Sequence, residues 1–70
     1  MIEFNPSITF VVFAEYDNGE FVAKRHYVCL ADNESEAQLI VEKNIRKNNG
    51  RYVRILDVST MNRGEVFAGW

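Results

Sequence analysis

Residues 8–30 read ITFVVFAEYDNGEFVAKRHYVCL. Two runs rich in β-branched and aromatic side chains flank Asp17-Asn18-Gly19. Asn-Gly is a favoured centre for a tight hairpin, because both residues tolerate positive φ. The stretch predicts a strand over residues 8–16 and a second over 20–30. In the first, Ile8, Phe10, Val12, Ala14 and Tyr16 share one face, while Thr9, Val11, Phe13 and Glu15 share the other. Both faces carry bulk. A two-residue turn at Asn18-Gly19 pairs Tyr16 with Phe21, Ala14 with Ala23 and Phe10 with Tyr27. A three-residue loop with a bulge shifts every partner by one, and the sequence leaves both registers open.

Downstream, Ala31-Asp32-Asn33-Glu34-Ser35-Glu36 announces a helix. Asn33 with Glu36, or Asp32 with Ser35, supplies the cap, and Glu34 and Glu36 oppose the positive end of the helix dipole. Ala37, Ile40, Val41 and Ile45 recur at helical spacing as a narrow apolar stripe. Lys43, Arg46 and Lys47 suit the last turn, and Asn48-Asn49-Gly50 ends a helix of about fifteen residues with a left-handed cap. A third strand follows over residues 52–60. Simple alternation sets Val53 and Ile55 against Leu56 and Val58, and puts Arg54 and Asp57 on opposite faces. Residues 61–70 form a short strand from residue 65 or a tail; residues 1–7 form an N-terminal arm.

The expected architecture is a single α+β domain over residues 1–70, an antiparallel sheet of three or four strands with one helix, in the order ββαβ(β). One helix covers one sheet face. The arm with Ile2 and Phe4, the tail with Phe67 and Trp70, a second copy or another protein is left to cover the other. A third or tail strand also leaves an open edge that invites strand addition.

At 70 residues and 47% hydrophobic composition, the chain suits one small globular domain rather than a disordered one. Its longest apolar run, residues 10–14, is far short of the roughly 18 residues that span a bilayer. With no basic segment ahead of an apolar stretch, no signal peptide is expected, and a single cysteine suits a reducing cytoplasm.

No catalytic constellation is present in the sequence. His26 and Cys29 are three residues apart, which on a strand directs them to opposite faces and disfavours a dyad or shared metal. Glu34, Glu36 and Glu42 fit capping and solubility, and the four glycines are scattered rather than gathered in a phosphate loop. The reading is of a non-enzyme without metal or cofactor.

Charge is distributed unevenly. Up to residue 42 there are eight acids against Lys24 and Arg25, and beyond it six bases against Asp57 and Glu65. Such a chain carries distinct acidic and basic poles if the fold keeps its halves apart. The basic cluster is Lys43, Arg46, Lys47, Arg51 and Arg54 with Tyr52 interleaved. That composition suits a protein partner or a nucleic acid, whose phosphates the bases would contact while the ring stacks. An overall pI near 5.2 weighs against the nucleic acid. Glu15, Asp17 and Glu20 at the hairpin tip, and Asp32, Glu34 and Glu36 at the helix start, offer negative patches to a basic surface.

The junction Leu30-Ala31-Asp32-Asn33-Glu34-Ser35-Glu36-Ala37, with Glu42, Gly50 and Val53 at matching places in the layout, resembles the small RNA polymerase inhibitor of T7-like bacteriophages. The resemblance implies a small phage protein that binds host RNA polymerase in its downstream DNA channel, in the host cytoplasm, and blocks transcription initiation. That family's last strand carries two arginines important for polymerase contact. At the corresponding places stand Ile55 and Asp57, with Arg54 the nearest base. The expectation drawn from residues and resemblance together is a protein-binding module that acts on a host nucleic-acid-processing enzyme. It would use Arg46, Lys47, Arg51, Tyr52 and Arg54 together with Glu15, Asp17 and Glu20. Direct nucleic-acid binding and self-association as a homodimer are the alternatives.

Overall fold

A computed structural model describes residues 8–61, Gly64 and Val66. The chain folds as β1 (Ile8–Asp17), β2 (Val22–Ala31), α1 (Glu34–Lys47) and β3 (Arg51–Thr60). The expected arm over residues 1–7 lies outside the described residues. So does the expected strand or tail over 62–70 apart from Gly64 and Val66, and Val66 is exposed and not in a strand.

The three strands form one antiparallel sheet in the order β2-β1-β3, with β1 at its centre. β2 and β3 therefore run parallel to each other without touching, and α1 returns the chain between them. This is an α+β fold of ββαβ order.

The hairpin is wider than either expected register. Asp17 pairs with Val22, so four residues, Asn18 to Phe21, form the loop. The reason is the Asn18 carboxamide, whose oxygen accepts from the backbone N–H of Glu20 at 2.9 Å and of Phe21 at 3.0 Å. Asp17 Oδ1 accepts from Gly19 N–H at 2.7 Å, and Gly19 takes φ 100°. Side chains thus satisfy donors that a tighter turn would have left to the strands. Relative to a two-residue turn the register moves by two, which preserves every facing but exchanges partners. Phe10 lies beside Cys29 and Ala14 beside Arg25.

β3 departs from simple alternation. Phe13 pairs with Asp57 and Ala14 with Ile55, so Leu56 is an extra residue in the ladder. That bulge resets the parity of the strand. Val53, Ile55 and Val58 all pack toward the core, and Arg54 and Asp57 share the opposite face, contrary to the alternation expected.

The core lies between the sheet and α1. Phe10, Val12 and Ala14 of β1 and Ala31 of β2 meet Ala37, Val41 and Ile45 of α1, ringed by Tyr16, Tyr27, Cys29, Val53, Ile55 and Val58. Ile40, expected on the stripe, stays largely on the solvent side. At the start of α1, Asn33 is the cap and accepts from Glu36 N–H at 2.9 Å. At its end, Asn49 takes φ 69°, with Asn49 N–H donating to Arg46 O and Gly50 N–H to Ile45 O at 2.8 Å. This paired closure satisfies carbonyls that the helix leaves open.

Gly50 sits where a side chain has no room. A Cβ there would collide with Ile45 Cγ2 and stand 2.9 Å from Ile45 O and 3.0 Å from Tyr16 Cδ2. Gly50→Ala is expected to lower the unfolding free energy by about 1–3 kcal/mol in urea titration. A second expectation concerns Tyr27, whose hydroxyl is pushed up to about 12 by burial first and then by Tyr16. A folded pKa above the ordinary value of 10 stabilises the fold fully below pH 10, and that contribution disappears as pH climbs toward 12. Thermal unfolding should therefore move to lower temperature over that window, and less so in Tyr27→Phe.

Candidate functional site

At the end of β1, Asp17 lies between Val22 of β2 and Arg51 of β3. The hairpin loop projects from this end. The last turn of α1, with Arg46 and Lys47, arrives at the same end, because Gly50 closes the helix against Tyr16 and leads directly into β3. Of the eight residues expected at a binding surface, the register sets Glu15 beside Arg54 and Asp17 beside Arg51, with Tyr52 between those pairs; Glu20 lies in the adjoining loop, and Arg46 and Lys47 lie on α1, which covers the opposite face of the sheet.

This end is of mixed charge. Arg54 Nη1 lies 3.7 Å from Glu15 Oε2, and Lys24 is Glu15's partner on the other side. On the sheet face turned away from α1, a row therefore runs Lys24, Glu15, Arg54. Arg46 binds Glu42 across one helical turn, with Nη2 3.0 Å and Nε 3.1 Å from Oε1. The hairpin acids are thus set among the bases, and the fold does not keep the two halves of the chain apart here. Asp32, Glu34 and Glu36 stand at the opposite end of the sheet, where α1 begins and Ala31 pairs with Ile8.

Tyr52 is the unusual residue. Between the pairs Glu15–Arg54 and Asp17–Arg51, β3 again has one residue more than β1. Tyr52 adopts φ 52° there, a left-handed conformation that is uncommon for a bulky side chain. The residue is 82% exposed, so little packing offsets that strain. On the other side of Asp17, Phe21 and Val22 are 58% and 57% exposed. Sequence reasoning placed Phe21 inside a strand opposite Tyr16 and missed it; the capacity of Asn18 and Asp17 to cap a longer loop was the available signal.

The remaining chemistry-bearing residues are dispersed. His26 lies on the face away from α1 and stacks on Phe13, with ring centroids 4.3 Å apart and planes 17° apart. Cys29 lies on the other face, its Sγ 3.9 Å from Ala37 O, and burial followed by the Glu36 carboxylate raises its thiol pKa above the ordinary value. Among the described residues no three His, Cys, Asp or Glu side chains group closely enough to hold a metal ion, and no helix is long and apolar enough to cross a membrane. No family model, curated protein or solved structure matches this chain.

The strain at Tyr52 has a measurable sign. Replacing an exposed ring by hydrogen at a left-handed position relieves about 1 kcal/mol, roughly what glycine loses through its freer unfolded chain. Tyr52→Gly should leave the unfolding free energy unchanged or raised in urea titration, whereas Val53→Gly, one residue on and packed on the core, should lower it clearly.

Proposed function

We propose that the chain is a non-enzymatic protein-binding module of the kind with which a bacteriophage inhibits or redirects a host nucleic-acid-processing enzyme such as RNA polymerase. The end of the sheet holding Arg51, Tyr52 and Arg54 is its contact surface. The observation that carries this reading is Tyr52, exposed and with a left-handed backbone, which stands between Arg51 and Arg54 in the sequence of β3. Tyrosine and arginine are among the side chains in which protein interfaces concentrate binding energy. Unfavourable backbone conformations persist where function retains them. Phe21 and Val22 extend the exposed apolar area beyond Asp17.

The mixed charge supports a protein partner over a phosphate backbone. Binding to nucleic acid draws its strength from cations that neutralise phosphates and release counterions. Here Arg54 and Arg46 are already held by Glu15 and Glu42, and Asp17 stands opposite Arg51. A phosphate chain approaching this end meets carboxylates among the bases. A protein surface of mixed charge can match both signs, which fixes its orientation as well as its attraction. Direct nucleic-acid binding remains the second reading, favoured by the exposed ring of Tyr52 beside Arg51.

Affinity capture from bacterial lysate, with and without nuclease, separates the two. The expected result is one stoichiometric protein that survives nuclease and is identified as a nucleic-acid-processing enzyme. Arg51→Glu and Tyr52→Ala should each weaken its binding at least tenfold, about 1.4 kcal/mol, with circular dichroism unchanged. Captured material that disappears with nuclease, together with an affinity that falls steeply with salt, would replace this reading by the second.

A further inference from the structure

The two edges of the sheet are built differently. β3 is interrupted by two bulges and carries Arg51, Arg54 and Asp57. Bulges and charges are the devices by which sheets keep an edge from pairing with another chain. β2 has no such interruption: ten consecutive residues pair with β1 in one register. Its outer backbone groups are therefore presented along a regular strand. On the face away from α1 it carries Lys24, His26, Val28 and Leu30, and the last two are 58% and 63% exposed.

The sequence along this edge and through the turn into α1 is self-complementary. Residues 24–34 read KRHYVCLADNE, with bases at the start, Val28 and Leu30 at the centre, and Asp32 and Glu34 at the end. Two copies laid antiparallel about Cys29 set each Val28 opposite the other copy's Leu30. The same arrangement brings Lys24 and Arg25 of each copy to the Asp32 and Glu34 end of the other. Residues 27–31 of the two strands form the ladder, which the cross-strand apolar pairs stabilise, and the opposite charges meet just beyond it, where Asp32 follows β2 and Glu34 opens α1. A parallel arrangement sets bases against bases and acids against acids.

We propose that the chain forms a two-fold dimer through β2, the occupant of this edge being a second copy of the same strand. The two sheets become one antiparallel sheet of six strands, with both helices on one face. The interface is isologous, so it closes at two copies and does not propagate. Because β3 and the Tyr52 end lie on the far side of β1, the dimer leaves that end open, and this inference does not depend on the function proposed for it.

Sedimentation equilibrium tests it. The wild-type chain should show twice 8.1 kDa at about 100 µM and dissociate on dilution, as mass action requires. Val28→Lys should remain folded by circular dichroism and sediment at the single mass. A decisive arm mixes Lys24→Glu/Arg25→Glu with Asp32→Lys/Glu34→Lys. Each variant alone opposes like charges and should be monomeric, and the equimolar mixture should regain the double mass. A wild-type monomer at that concentration would overturn the proposal, as would a dimer that persists in Val28→Lys. If either charge variant fails to fold, Leu30→Lys replaces the mixing arm, and an undiminished dimer in that variant overturns it equally.

Discussion

The main-chain hydrogen bonds of β1 hold both halves of the sheet, because β2 and β3 do not pair with each other. Each row of side chains is therefore organised from the centre outward. Val12 has Tyr27 on one side and Val58 on the other; Glu15 has Lys24 and Arg54. A strand paired along both edges and covered by a helix on one face has no freedom to slip. A one-residue shift would send Phe10, Val12 and Ala14 to the face away from α1 and empty the core. The charged row at Glu15 is accordingly positioned by apolar residues that take no part in it.

Length matching explains why the end of the helix meets the hairpin. Ten strand residues extend roughly 33 Å, whereas the fourteen of α1 extend roughly 21 Å. The helix starts where β2 ends and covers much of the way back, and the closure at Asn49 and Gly50 completes the return to the hairpin end. Bases from the second half of the sequence are thereby delivered beside acids from the first. The lopsided charge of the linear chain is partly cancelled at this end and survives at the start of α1, where Asp32, Glu34 and Glu36 stand.

The elements and their order were readable because their signals are local: β-branched runs, the Asn33 cap, the Asn49-Gly50 closure. The hairpin register was not, since an asparagine that caps a four-residue loop and one that forms a two-residue turn have the same neighbours in sequence. Nor was the facing of β3. A bulge arises from the fit of a strand to its partner, and nothing in residues 52–60 alone marks Leu56 as the residue that resets parity. The charged residues of the candidate site could be named from sequence, while the pairing of Glu15 with Arg54 and Asp17 with Arg51 depended on that register. Tyr52 was named for its position among bases; its left-handed backbone belongs to the second bulge and has no sequence signature for a tyrosine.

The order in which a ribosome delivers these pieces gives the layout a temporal side. Residues 8–31 already contain both strands of the hairpin, joined by a four-residue loop, and such contacts form within microseconds once the segment is free. Arg51, Tyr52 and Arg54 belong to β3, the last of the described elements to be synthesised, and reach Asp17 and Glu15 only by closing the long loop that contains α1. An emerging chain can thus display its hairpin early, but it cannot display the mixed-charge end until β3 has docked. That end is assembled only in chains that have finished folding.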